Sequence, residues 1–212
     1  MLLDYQAIVA AAHRARVESG ENHVRVSCKS VILACLPGTD VRSSRKLPPE
    51  LVAVATLDQE PEKEPARSIA YNGAIKDPAA HRVGIAQAIG HLLLHAAEAP
   101  ELRFEVPTCG GTAHEIQRQG RHEREAMLFA LELLLPLNLL DRFFGAAPLF
   151  PKGDEPEAEF DGRVFSAAGR FVLPVWVIRN RLRMLQVHRR TGWAVSPRKG
   201  ARLSVMNGGR GR

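Results

Sequence analysis

The amino-acid sequence predicts an α+β fold, and three observations carry that prediction. Segments rich in β-branched residues fall before residue 73, two long helical patterns fall between residues 78 and 136, and no internal repeat divides the chain into like units. A chain of 212 residues suits one domain of generous size that buries about 70% of its unfolded surface. Its 45% hydrophobic and 25% charged residues are the balance of an ordinary globular protein, so folding calls for neither disulfides nor a metal.

The elements follow in order. Asp4 to Val17 carries apolar residues at helical spacing and stops near Gly20, which predicts a first helix. HVRVSCKSVILACLPG, from His23 to Gly38, reads as extended, with β-branched residues ahead of a Pro-Gly stop. LVAVATL and RSIAYNG read as two further strands, separated by the charged, proline-bearing loop DQEPEKEPA, and the three segments together predict a small antiparallel sheet. After Asn72-Gly73 the period changes to 3.6. Asp77-Pro78 supplies an N-cap and a tolerated first helical residue, which predicts a helix from about Pro78 to Ala97. Residues 100–120 read as loop. RHEREAMLFALELLLP then shows an apolar stripe of Ala126, Phe129, Ala130, Leu133 and Leu134 before Pro136 ends the helix, and a short helix follows over Leu137 to Phe144.

Residues 1–146 are thus expected to form a core and residues 147–162, rich in proline, glycine and acid, a linker. Residues 163–188 read as two short helices about a turn at Val172 to Pro174, resembling a helix-turn-helix, although FVLPVWVI also suits a buried strand. Residues 189–212 read as a disordered basic tail.

Charge is segregated. From Gly162 onward there are twelve Arg/Lys and no Asp or Glu, while the rest holds 17 basic against 23 acidic residues. A polyanion is one partner that this half would suit, through Arg179, Arg181, Arg183, Arg198 and Lys199; the alternative is a solvated helix face with an unordered tail. Cys28, Cys35 and Cys109 form no CxxC pair, and an odd, widely spaced set fits a reducing compartment. With no secretory leader and no apolar run near 18 residues, the expectation is a cytoplasmic protein without a membrane partner.

The residues that bear chemistry gather in the two central helices. His91 and His95 are one turn apart and face the same way, a spacing compatible with a shared metal or with chance. Glu125 lies along the edge of an apolar stripe, where a carboxylate must be paired or bound; Arg121 and Arg124 are its ordinary partners. His114-Glu115 and His122-Glu123 do not extend to a second histidine four residues on, and Cys109 has no partner at ligand spacing.

Taken together, IAQAIGHLLLH (Ile85 to His95) and EREAMLFALELLLP (Glu123 to Pro136) resemble the ImmA/IrrE family of zinc metallopeptidases, whose zinc helix typically reads AHELGHLLLH and whose second helix reads EANxFAAxLLMP. SIAYNGAIKDPAAHR is similar to the strand and helix entry of that family, and AGRFVLPVWVIRNRLRMLQ to its closing helical segment, so the resemblance spans roughly residues 68 to 187. It implies a zincin-like core, a small sheet packed on the two motif helices, with a helix-turn-helix-like segment closing the domain. It also implies a metal site in which the first zinc histidine falls on Gln87, the general-base glutamate on Ala88, the second histidine on His91 and the third ligand on Glu125.

Two of those four groups are replaced. A neutral amide is a poor substitute for imidazole on zinc, and Ala88 cannot take a proton from bound water; losing a positioned base costs on the order of 10²–10⁴ in rate. The expectation is therefore a degenerate HExxH motif with zinc absent or weakly held. The protein then acts as a regulatory, protein-binding module of metallopeptidase shape, its partner a helix-turn-helix repressor of the kind such peptidases act beside. Two alternatives stay open: an active zinc peptidase with a rearranged site drawing on His91, Glu125, His95, His122 or Glu98, and a nucleic-acid-binding regulator working through the basic segment.

Overall fold

A computed structural model describes residues 5–58, 66–98, 101–108, 120–145, 149–150 and 157–190. Among them run seven helices and four strands: α1 (Tyr5–Glu18), α2 (Cys28–Cys35), β1 (Asp40–Ser44), β2 (Leu51–Asp58), β3 (Ala66–Asn72), α3 (Pro78–Leu94), β4 (Glu101–Pro107), α4 (Arg121–Leu134), α5 (Leu137–Phe144), α6 (Glu157–Phe171) and α7 (Val175–Arg190). The protein is α+β.

The sheet has the order β1-β3-β2-β4. It is mixed, which corrects the antiparallel expectation: β2 runs antiparallel to β3 and β4, whereas β1 is parallel to β3, with Val41 opposite Ile69. β1 is short and mostly exposed and shows no apolar alternation, whereas β4 corrects the loop expected over residues 100–120: Phe104 and Val106 are buried and Arg103 and Glu105 exposed, the period of a strand. HVRVSCKSVILACLPG is also corrected, because its centre is α2. The Ser27 hydroxyl accepts the Ser30 N–H and caps the helix, and Val31 and Ile32 turn inward together, the neighbour spacing of a helix and not of a strand.

Helix α3 is the central element. Its start is fixed by the Asp77 carboxylate, which accepts the Ala79 N–H at 2.9 Å, and by Pro78 in the first turn. One side of α3 lies on the sheet and the other on α4. Two glycines set both distances. A Cβ at Gly84 would fall 2.5 Å from Val52 Cγ1, and one at Gly90 would fall 3.0 Å from the Ala126 carbonyl oxygen and 3.0 Å from Phe129 Cδ1. The core then continues through Ile89, Leu92, Phe129, Leu133 and Leu134 to α1 on the far side of α4.

The C-terminal helices close this core. Helix α6 begins at Glu157, inside the segment expected to be linker; residues 151–156 and 191–212 lie outside the described residues. Phe171, Leu173, Val177, Ile178 and Leu182 all join the core, so FVLPVWVI is two helix ends about a turn and not a strand. At the turn Val172 adopts φ 54°, a conformation costly for a β-branched residue. Arg82 holds it from below, donating to the Phe171 carbonyl and, at 3.0 Å, to that of Val26.

A buried charge ties the ends together. Arg181 has no exposed surface; its NH2 lies 2.6 Å from Glu132 Oε1 and its Nε donates to the Leu135 carbonyl at 3.2 Å. Tyr5 donates its hydroxyl to the same Glu132 oxygen at 2.6 Å, and burial pushes its phenol up to about 12, so it stays a donor. Arg181 is thereby removed from the set of arginines offered to a polyanion. Of the others, Arg179 pairs with Asp161 at 2.9 Å, Arg183 is exposed, and Arg198 and Lys199 lie outside the described residues.

Two measurements check this packing by urea unfolding. Gly90→Val should lower stability by about 1–3 kcal/mol, since the added methyls meet backbone that cannot turn aside. Glu132→Ala should cost about 3–5 kcal/mol because it strands a buried guanidinium; a loss below 1 kcal/mol would contradict the burial described.

Candidate functional site

The last turns of α3 and its C-cap present Gln87, His91 and His95 in one line, each with no exposed surface. Burying three polar side chains on one helix face is costly unless each finds partners. The partners come from Glu123 and Glu125 near the start of α4 and from Phe104 of β4.

Gln87 donates through Nε2 to Glu123 Oε2 at 2.8 Å. His91 Nε2 lies 3.2 Å from Glu123 Oε1, without the alignment of a hydrogen bond, and its ring stacks on Phe104 at 4.2 Å between centroids. His95 Nε2 shares a hydrogen with Glu125 Oε2 at 3.0 Å, and Arg121 donates to the other Glu125 oxygen at 3.0 Å. Arg121 also reaches Glu98 Oε1 at 3.0 Å, and His122 Nε2 meets Glu98 Oε2 at 2.6 Å. Four polar atoms on the line are buried with no hydrogen-bond partner: Gln87 Oε1, His91 Nδ1 and Nε2, and His95 Nδ1.

The structure therefore separates residues that the sequence placed together. Glu125, expected opposite His91, pairs with His95 and Arg121. The carboxylate that faces both Gln87 and His91 is Glu123, which sequence reasoning passed over as half of a His-Glu dipeptide. Its place was readable only from the crossing: Gly90 approaches Ala126 most closely, so the residue one turn before Ala126 meets the residues on either side of Gly90. His95, Glu98 and His122, by contrast, are brought together, with ring centroids of the two histidines 4.4 Å apart.

Do these residues suit the zinc that the resemblance implies? Catalytic zinc takes three protein ligands and keeps one open position. Among the described residues the ligand types that meet Gln87 are His91 and Glu123, and the amide of Gln87 already directs a hydrogen at the carboxylate where a cation would sit. Ala88 is fully buried and apolar, so the position that would activate water holds a methyl group packed in the core. The set does not fit a peptidase zinc, and no hydrolytic step runs through it.

Electrostatics differ between the two ends of the line. Burial pulls His95 below its ordinary 6.5; His91 and His122 add to the fall, and the hydrogen bond to Glu125 opposes it. Glu98 is drawn below its ordinary 4.5, first by the hydrogen bond from His122. A separate cavity of about 400 Å³ opens on the outer face of the sheet, lined by Arg42, Lys46, Thr56, Ser68 and Arg103 among others, and takes no residue from α3 or α4. Among the described residues no helix is long and apolar enough to cross a membrane. Comparison with protein-family models and with curated proteins finds no match for this chain.

The shift at His95 gives a signed expectation. The unfolded chain takes up the proton near 6.5 and the folded chain only at lower pH, so stability is full above 6.5 and falls as pH drops through that window. Glu98 acts only below 4.5 and leaves the window clear. The urea midpoint should be lower at about pH 5.5 than at about pH 7.5, and His95→Asn should reduce that difference; an unchanged difference would assign the titration elsewhere.

Proposed function

We propose that this protein is a catalytically degenerate relative of the ImmA/IrrE metallopeptidases that works as a regulatory protein-binding module. The observation that carries the reading is the arrangement at Gln87, Ala88, His91 and Glu123: the position for a general base is a buried methyl, and an amide hydrogen stands where a metal would. A scaffold of this kind loses hydrolysis without losing shape, because Leu92, Phe129, Leu133 and Leu134 fill the helix interface with or without an ion. The partner class proposed is a DNA-binding repressor of helix-turn-helix type, the class that such peptidases act beside. The cytoplasm is the compartment where that partner would be met.

Restoring the missing groups tests the reading. The double variant Gln87→His, Ala88→Glu should bind one more zinc per chain than the parent, and that additional ion should be lost again with Glu123→Gln. The parent should leave an unstructured protein substrate intact. Cleavage by the parent that a chelator stops would overturn the proposal.

A further inference from the structure

The structure assigns a second candidate centre to this chain: we infer that His95, Glu98 and His122 bind a divalent transition ion, Zn²⁺ being the natural choice. One ligand atom from each of the three lies within 4.8 Å of the others. Two imidazoles and a carboxylate are the donor set that suits borderline ions, and they leave a fourth position for water. The centre shares no residue with Gln87, Ala88, His91 or Glu123, so it stands or falls apart from the degenerate-peptidase reading.

Three features of the geometry support an ion here. First, His95 is fully buried, engages Glu125 through Nε2 and has no hydrogen-bond partner at Nδ1. A carboxylate on one imidazole nitrogen, fixing the tautomer and leaving the other nitrogen with a free lone pair, is how metal-bound histidines are held. Second, Glu98 uses Oε1 for Arg121 and turns Oε2 toward His122, so one oxygen is anchored while the other faces the cluster. Third, the side chains of Glu98 and His122 are 35% and 38% exposed, so an ion reaches the centre from solvent without opening the core.

The movement required is small. Ligand atoms about 2.0–2.1 Å from a tetrahedral ion stand about 3.3 Å apart. His122 Nε2 and Glu98 Oε2 must therefore separate slightly from 2.6 Å, while the widest pair in the cluster, within 4.8 Å, closes by at most about 1.5 Å through side-chain rotation. The ion takes the place of the hydrogen that these two atoms share, and that hydrogen passes to Nδ1 of the ring or to water. Binding would fasten the residues just after α3 to the first turn of α4, the two ends of the connection that carries β4 between the helices.

The test uses the full-length chain, freed of any affinity tag and stripped of metal, titrated with Co²⁺ and followed by its visible absorption. Saturation at one ion per chain with an intense four-coordinate band is the expected result. His122→Ala and Glu98→Gln, both at half-exposed positions and so compatible with folding, should abolish the band. Glu125→Gln should weaken the affinity by about 10–100-fold as the outer partner of His95. Glu123→Gln should leave it unchanged. No saturable ion, a band that survives His122→Ala, or a band lost in Glu123→Gln would each overturn the inference, the last by placing the ion at His91.

Discussion

Everything in this fold is arranged around a helix that is enclosed along most of its length, from Val83 to Leu92. Helix α3 touches the sheet through Gly84 and α4 through Gly90, and at both places the distance admits hydrogen and nothing larger. A helix so enclosed must be apolar nearly all round, yet one line of it is polar. The sheet and α4 are placed so that this line meets Glu123 and Glu125, the acids near the start of α4. The glycines are therefore the condition for the chemistry. Without the close approach of Ala126, Glu123 and Glu125 would stand too far from the α3 line for direct bonds.

The two ends of that line have different characters. At Gln87 and His91 an amide, an imidazole and one carboxylate crowd together beside Phe104, the carboxylate being shared by the other two. At His95 the chain alternates acid and base, from His95 to Glu125 to Arg121 to Glu98 to His122, and emerges at the surface. Every carboxylate oxygen in that sequence has a cationic or ring nitrogen neighbour. A network so balanced holds its members in place, and its groups respond together to protons or ions.

Much of this was legible in the sequence and some was not. Helices α1, α3, α4 and α5 announce themselves by spacing and caps, and β2 and β3 by β-branched runs, because these elements bury a continuous face. The edge strand β1 buries too little to leave a pattern, β4 carries an alternation only a few residues long around Phe104 and Val106, and α2 was hidden by its β-branched residues, whose propensity yields to the Ser27 cap and to packing. At the site, the polar line on α3 follows from the four-residue spacing alone. Which glutamate meets which residue does not, since Glu123 and Glu125 project from different sides of α4 and only the helix crossing decides between them. The burial of Arg181 was equally hidden: in sequence it is one arginine in a basic run, and only the arrival of Glu132 and Tyr5 distinguishes it.

That last contact has a consequence for how the chain is made. Tyr5 and Glu132 lie in the first three-quarters of the polypeptide, but the guanidinium that neutralises their shared acid is carried by α7. During synthesis α1 and α4 are available to each other well before Arg181 has left the ribosome, and in that interval Glu132 would have to remain in contact with water. The native contact between the two helices is then completed by the last helix and not by their meeting. Folding of the N-terminal part waits on the C-terminal part, and a nascent chain that stalls before α7 holds its core open at the position of Glu132.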